Sequence, residues 1–217
     1  MDKKTAIIAG ASGLTGSYLL RFLLENDTYE RVIALVRKPM DLEHPKLEQK
    51  VFDFDRPRQE DLKADHVYIA LGTTIKKAGS KEAFRKVDYE YPLQIARIAY
   101  EAGAKRLAVV SAVGANARSV FFYNRVKGEM EEKMLDIPCE GLFIARPSML
   151  LGARKEFRLG EEMGKAVMKG IRFLLPANYK AVHASQVAAA MIDRVNSGQE
   201  GTHRIFSGQM LQYPVRQ

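Results

Sequence analysis

The chain has 217 residues, of which 47% are hydrophobic and 28% charged, and its formal net charge is +8. This length suits one α/β domain and is too short for two well-packed domains. No run approaches the roughly twenty apolar residues that span a bilayer, and a single cysteine, Cys139, excludes an internal disulfide. We therefore expect a cytoplasmic protein without a membrane partner, in which Cys139 is a packing residue.

The basic residues are scattered in ones and twos along the chain instead of forming a run. This distribution is typical of a solvated basic surface, so nucleic acid is not the expected partner. A basic protein also attracts a polyanionic cofactor. Nucleic-acid binding stays a weaker alternative, which steep salt dependence without competition by the cofactor would reveal.

Apolar runs alternate with amphipathic helical patterns along the chain, which predicts an α/β fold with a parallel sheet and helices on both faces. The predicted strands are residues 5–9, 31–36, 50–54, 66–71, 106–111 and 141–145. A helix is predicted over residues 81–102, with a kink or break near Tyr91 caused by Pro92. Gly103 is expected to cap its end.

Beyond Pro147 the pattern loosens. We expect loops around four glycines, followed by a helix over residues 185–195. The glycines are Gly152, Gly160, Gly164 and Gly170. The prediction is a single domain over residues 1–217, a Rossmann-like doubly wound sheet in which residues 148–217 contribute a small substrate-side cap.

A glycine-rich turn follows the first predicted strand. Gly10, Gly13 and Gly16 lie between the apolar run 6–9 and a helical pattern that begins at Leu14. Glycine lets the backbone turn tightly and approach a pyrophosphate, while the helix start offers N–H groups and the positive end of a dipole. A second buried strand follows at the spacing of a βαβ unit. The turn therefore predicts a nucleotide site; the alternative is a turn that only packs helix on sheet.

Tyr123 and Lys127 are four residues apart on a predicted helix, so they share one helical face. There the lysine charge favours the phenolate and makes the tyrosine a usable proton donor and acceptor. The alternative is a solvated surface pair of little energetic weight. Ser111 stands at the carboxyl end of the preceding strand, the edge where open α/β sheets bind ligands, and could bind a substrate carbonyl there.

The glycine turn, Ser111 and the Tyr-x-x-x-Lys pair occur in the order typical of the short-chain dehydrogenase/reductase family, and the chain resembles its atypical or extended branch across most of its length. Shorter segments resemble the Tat-interacting oxidoreductase-like subgroup: residues 71–74, 86–88 and 126–129. The resemblance implies that Tyr123 donates a proton to a carbonyl as hydride arrives from NADPH. It also implies that Ser111 orients that oxygen and that Lys127 holds the nicotinamide ribose.

The same resemblance extends to the residues that would contact the cofactor. They are Gly10, Ser12, Gly13, Leu14, Thr15, Gly16, Arg37, Lys38, Asp53, Phe54, Leu71, Gly72, Thr73, Tyr123, Lys127 and Pro147. Alternative interpretations are that Asp53 only caps a turn and that Gly72 and Thr73 only form a loop.

The end of the second predicted strand indicates which dinucleotide is bound. Folds specific for NAD place a carboxylate there to hold the ribose 2′-hydroxyl, whereas a 2′-phosphate needs a cation. This chain has Arg37 and Lys38 at that point. A guanidinium suits phosphate, so we expect NADP in preference to NAD.

One residue departs from the family pattern. Asp88 stands where the family often has an asparagine, so we expect a proton relay that differs from the family's or is weak. The sequence therefore supports two functions: an NADP-dependent oxidoreductase for a small carbonyl or alcohol, or an NADPH-binding redox sensor with little turnover. The expected state is a monomer or a homodimer.

The four histidines are widely separated, which predicts that the protein binds no metal. They are His44, His66, His183 and His203. We expect His183 to be a structural residue beside a helix.

Overall fold

Seven parallel strands form the central sheet of the computed structural model, which describes residues 3–152 and 176–216. The spatial order of these strands is β3-β2-β1-β4-β5-β6-β9. Their bounds are β1 Lys4–Ala9, β2 Tyr29–Val36, β3 Leu47–Val51, β4 His66–Ile69, β5 Arg106–Val110, β6 Gly141–Arg146 and β9 Gly201–Phe206. Two short strands, β7 Leu150–Leu151 and β8 Val182–His183, pair with each other in a separate sheet.

Helices cover both faces of the sheet. Their bounds are α1 Leu14–Glu25, α2 Ile75–Ala78, α3 Lys81–Arg85, α4 Tyr91–Glu101, α5 Phe122–Met134, α6 Ala184–Asn196 and α7 Ser207–Met210. Helices α1 and α6 share a buried cluster with one face, and α4 and α5 share a cluster with the other. In the described ranges, no helix is long and apolar enough to cross a membrane. The arrangement confirms the predicted Rossmann-like doubly wound fold.

Successive residues of each strand point to opposite helical layers. On β1, Ile8 packs in the cluster of α1 and α6, whereas Ile7 packs in that of α4 and α5. Because both faces are covered, β1 reads as a continuous apolar run instead of an alternating one. The strand order reverses between β1 and β4, which opens a crevice at their carboxyl ends.

All six predicted strands are present, but the third begins and ends three residues earlier than expected. The prediction was residues 50–54, whereas β3 is Leu47–Val51. The difference arises because Phe52 is buried in a loop and Phe54 packs against Tyr91, with ring centroids 5.5 Å apart. Their apolar character therefore reflects burial just beyond β3, where the Phe52 amide still donates a 2.9 Å hydrogen bond to the Val36 carbonyl.

The segment predicted to kink or break near Tyr91 changes its helix type there, while Arg85, Glu90 and Tyr91 all keep right-handed helical φ and ψ angles. Helix α3 ends at Arg85, a π-helical turn occupies Lys86–Glu90, and α4 then begins with Pro92 in its first turn. Proline fits there because the first amides of a helix have no partner within it. Gly103 ends the segment with a φ of +105°.

Two elements of the predicted C-terminal cap are parts of the main architecture. Strand β9 pairs in parallel with β6, and α6 packs against α1. The sequence pattern missed β9 because it is an edge strand with mostly exposed residues, so it lacks the apolar run of a central strand. Gly160, Gly164 and Gly170 lie outside the described residues.

A buried polar cluster lies near the amino ends of the strands. The Tyr29 hydroxyl is 2.8 Å from His66 Nδ1 and 2.7 Å from the Tyr68 hydroxyl. Lys4 Nζ lies 3.3 Å from the other ring nitrogen of His66. Burial, and then the nearby Lys4 charge, lower the pKa of His66 from 6.5 to about 3. His66 is therefore neutral in the folded protein at neutral pH.

In the unfolded chain His66 binds a proton near pH 6.5, whereas in the folded chain it does so only near pH 3. The free energy of unfolding should therefore fall as the pH decreases from above 6.5 toward 3. We expect the free energy of unfolding to drop by about 2 kcal/mol from roughly pH 7.5 to 5 through this group. Urea titrations of wild type and His66→Asn measure it, and the variant should show a shallower pH dependence. His44→Asn, at an exposed histidine, is the control; equal slopes in all three proteins contradict the assignment.

Candidate active site

The glycine turn joins β1 to α1 in a conformation that requires glycine at two positions. Gly10 has a φ of +92°, and a Cβ there would lie 2.6 Å from the Ala70 carbonyl oxygen. A Cβ on Gly16 would lie 1.9 Å from the Gly10 oxygen, so helix and turn approach too closely for any side chain. The turn is closed by a 2.9 Å hydrogen bond from Gly13 N–H to Gly10 O.

The amino end of α1 opens onto the crevice edge of the sheet. Its N-cap is Gly13, which has no side chain that could accept a hydrogen bond from the first amides of the helix. The first amides of a helix have no partner within it, and the dipole adds positive potential. Ser12 is exposed beside them, and Leu14 and Thr15 form the first turn. This cradle fits the pyrophosphate of a dinucleotide.

Arg37 and Lys38 are exposed immediately after β2. Strands β1 and β2 are paired in parallel with Ala9 opposite Leu35, so the two basic residues and the glycine turn share one edge of the sheet. The edge therefore offers cations next to the helix N-terminus, as an additional phosphate requires.

Asp53 and Phe54 follow β3 in an exposed loop. Asp53 Oδ1 accepts a 2.9 Å hydrogen bond from the Asp55 amide, so this carboxylate caps its own turn. The neighbouring Asp55 accepts from the Tyr91 hydroxyl and pairs with Lys86, each at 2.7 Å. These two contacts connect the loop to the π-helical turn and to the first residue of α4.

Asp88, on the π-helical turn, links the loop after β4 to α5. Its Oδ2 accepts a 2.8 Å hydrogen bond from the Thr73 amide, and its Oδ1 lies 2.8 Å from Lys127 Nζ. A Cβ on Gly72 would meet the same carboxylate at 3.5 Å. The Leu71 to Thr73 loop is thus held at the crevice by a carboxylate that also pairs with the predicted catalytic lysine.

Lys127 and Asp88 are almost inaccessible to solvent, with exposed side-chain fractions of 3% and 1%. Burial alone would lower the pKa of Lys127, but Asp88, with Tyr123 and Glu131 nearby, outweighs it, and the net direction is upward. The ammonium is therefore charged at neutral pH. Its Nζ also lies 3.5 Å from the Val110 carbonyl oxygen at the end of β5.

Tyr123 lies in the first turn of α5, and its side chain is 40% exposed. Its ring packs against Phe84 of α3, with centroids 5.7 Å apart. Lys127 is one helical turn further along the same face. The helix thus presents an accessible phenol above a buried ammonium.

Ser111 is buried, and its hydroxyl donates a 2.5 Å hydrogen bond to Glu131 Oε1. Glu131 is 1% exposed and also accepts from Arg146 Nε at 2.9 Å and Arg204 Nε at 3.3 Å. The Ser111 hydroxyl is therefore part of a charged cluster between β5, β6, β9 and α5. The structure brings Tyr123, Lys127 and Asp88 together but engages Ser111 with a different partner.

Glu131 is the residue of this region that the sequence analysis missed. It follows Tyr123 by eight residues and Lys127 by four, so all three lie on one face of α5. Extending the helical spacing one further turn would have found it. Its two arginine partners come from β6 and β9, which no spacing within α5 indicates.

Pro147 and His183 stand at the ends of two strands: Pro147 directly follows β6, and His183 ends β8. The Pro147 carbonyl accepts a 2.9 Å hydrogen bond from the Val113 amide. His183 is the N-cap of α6, with Nδ1 2.7 Å from the Ser185 hydroxyl, so it lies beside a helix as expected. Among residues 3–152 and 176–216, no group of three metal-binding side chains is present.

A family model described as NAD(P)H-binding matches residues 10–136, from the glycine turn to the end of α5. Protein HTATIP2 of Rattus norvegicus is 31% identical over 218 residues, which cover 97% of this chain and 89% of that protein. Protein FMP52, mitochondrial, of Candida albicans is 31% identical over 206 residues, with 91% and 90% covered.

Solved structures share the architecture. MoeE5 in complex with UDP-glucose and NAD has a TM-score of 0.71 at 16% identity, covering 93% of this chain and 76% of that one. The Helicobacter pylori ADP-L-glycero-D-manno-heptose-6-epimerase has a TM-score of 0.70 at 19% identity, covering 94% and 77%. At such identities these similarities concern the fold alone.

The Lys127 and Asp88 pair should be strongly coupled in stability. Asp88→Asn keeps an acceptor for the Thr73 amide but leaves the buried ammonium unpaired, so we expect a loss of about 3 kcal/mol in the free energy of unfolding. Lys127→Met should cost a similar amount, because it leaves the carboxylate unpaired. The double variant should lose much less than the sum of the two. Denaturant unfolding of the four proteins measures the coupling, and additivity within about 0.5 kcal/mol rules out the pair.

Proposed function

The chain belongs to the NAD(P)H-binding family, within the short-chain dehydrogenase/reductase group that its motifs resemble, and from this premise we propose that it is an NADP-dependent oxidoreductase for a small carbonyl or alcohol. The observation that carries the proposal is the placement of Tyr123 and Lys127 on one face of α5. Asp88 holds the lysine, and the phenol is accessible.

The cofactor fits the glycine cradle. Gly10 and Gly16 leave no room for side chains, so a pyrophosphate can approach the backbone at the start of α1. Arg37, exposed after β2, supports a 2′-phosphate, since residues 36–40 contain no acidic side chain to repel that group. MoeE5, whose fold is similar, is described with NAD, so the preference for NADP rests on the charge of this edge.

When bound, the nicotinamide supplies or accepts the hydride of the reaction. In the reducing direction Tyr123 donates its phenolic proton to the carbonyl oxygen, and in the oxidising direction its phenolate takes that proton back. The buried Lys127 ammonium lies one helical turn from the phenol on the same face of α5. Asp88 fixes the ammonium in that position.

An NADPH-binding redox sensor with little turnover is the second candidate, and one observation favours it. The hydroxyl predicted to orient the substrate, Ser111 Oγ, is buried and bonded to Glu131. A carbonyl would have to compete with a charged acceptor for that proton. The role of Ser111 in orienting substrate therefore stays a prediction.

The cytoplasmic location also stays a prediction. The name of the FMP52 relative includes the word mitochondrial.

Tyr123→Phe should lower kcat for reduction of small aldehydes and ketones by at least about 100-fold, because it removes the proton donor. The dissociation constant for NADPH should change less than about twofold, since the phenyl ring keeps its packing on Phe84. Steady-state kinetics and nicotinamide fluorescence measure the two quantities. Tyr100→Phe, near the carboxyl end of α4, is the control and should behave as wild type.

An unchanged kcat in Tyr123→Phe refutes the proposed role of the phenol. Absence of turnover by the wild type on a broad carbonyl panel, together with preferential binding of one redox form of the cofactor, supports the sensor instead.

Arg37→Glu should reverse the charge that a 2′-phosphate meets. We expect NADPH binding to weaken roughly tenfold or more and NADH binding to change much less. Parallel fluorescence titrations with the two nucleotides at moderate salt give the ratio. Arg97→Glu, the same charge change at an exposed position of α4, should leave the ratio unaltered. Equal weakening of both nucleotides by Arg37→Glu contradicts the assignment of Arg37 to the 2′-phosphate.

A further inference from the structure

Two adjacent apolar side chains project into solvent at the start of α5. Val120 is 86% exposed and Phe121 is 70% exposed. Phe121 is the N-cap of the helix, and its predecessor lies in the turn before it. Single exposed apolar residues are common on protein surfaces, but a contiguous apolar patch marks a site of interaction.

The patch belongs to a pair of segments that are basic in sequence. Residues 75–81 and 116–125, here called the basic rim, contain no Asp or Glu. Their basic residues are Lys76, Lys77, Lys81, Arg118 and Arg125. The apolar patch is therefore part of a segment whose charged side chains are all basic.

The two segments of the basic rim are neighbours in space. They follow β4 and β5, which pair in parallel, so both lie at the carboxyl edge of the sheet. Lys81 Nζ lies 5.5 Å from the centroid of the Phe122 ring, and the Arg125 guanidinium lies 5.7 Å from the same centroid. In the part of the chain that the structure describes, Glu82 follows Lys81, and Glu129 is paired with Arg85.

The expected cofactor does not account for this surface. Its phosphates are placed by Gly10 after β1 and by Arg37 after β2, whereas the basic rim follows the next two strands of the sheet. A dinucleotide also gives no reason for Val120 and Phe121 to project outward.

We propose that the basic rim docks on an anionic lipid bilayer, with Val120 and Phe121 inserted between the headgroups. Apolar side chains flanked by Lys and Arg suit the boundary between headgroups and acyl chains, and the anionic surface attracts the cations. Both side chains project from the bend that precedes α5, so a continuous soft surface can take them up without a matching pocket. This proposal replaces the expectation of no membrane partner, which considered only spanning segments.

Docking would also place the bilayer beside the candidate active site. Tyr123 follows Phe121 by two residues and is itself partly exposed. The docking surface and the predicted proton donor thus belong to the same first turn of α5. The docking does not depend on whether that tyrosine is catalytic.

Cosedimentation of the full chain with lipid vesicles tests the proposal. The vesicles are phosphatidylcholine alone or with about a third phosphatidylserine, at salt concentrations of about 0.05 M and 0.3 M. We expect sedimentation with the anionic vesicles, strongest at low salt. Val120→Ser/Phe121→Ser should weaken partitioning at least tenfold. Lys81→Gln/Arg118→Gln should weaken it roughly 25-fold, since each charge contributes about fivefold.

Leu135→Ser/Val215→Ser is the matched control, because these side chains are 46% and 53% exposed and lie outside the basic rim. It should bind vesicles as the wild type does. Absence of sedimentation with anionic vesicles at low salt overturns the proposal, as does unchanged binding by Val120→Ser/Phe121→Ser. A wild-type dimer that becomes a monomer in that variant assigns the patch to a second copy of the chain and overturns it too.

Discussion

The pairing of charges below the surface holds the carboxyl edge of the sheet together. Lys127 on α5 and Asp88 on the π-helical turn are both buried, and each supplies the opposite charge that offsets the other's loss of hydration. The same carboxylate binds the Thr73 amide after β4. One ion pair therefore fixes three segments that are remote in sequence, and the position of Tyr123 on α5 follows from it.

A second buried charged group, the Glu131 carboxylate, lies one turn further along α5. Glu131 is buried, so it needs cations and donors, which Arg146, Arg204 and Ser111 provide from three strands. This cluster stabilises the junction of α5 with β5, β6 and β9, and it occupies the hydroxyl that the family pattern assigns to substrate. The chain thus uses Ser111 for structure in the conformation described here.

The fold brings several basic residues of the chain to one edge of the sheet. Basic residues that are dispersed in sequence gather at the carboxyl edge, because parallel strands deliver their following loops to the same side. Arg37 lies near the expected phosphates, while the basic rim contains Val120 and Phe121. The first group suits a nucleotide, and the second suits an extended anionic surface.

The doubly wound fold, the glycine turn, the shared helical face of Tyr123 and Lys127, and an irregularity of the helix near Pro92 could all be predicted from the sequence. Each of these depends on local periodicity or on the backbone limits of glycine and proline, which a linear sequence displays. The pairing of Asp88 with Lys127, the hydrogen bond from Ser111 to Glu131 and the place of β9 in the sheet could not be predicted in this way. Those features depend on contacts between remote segments, whose burial and charge pairing arise only when the sheet and both helical layers are assembled.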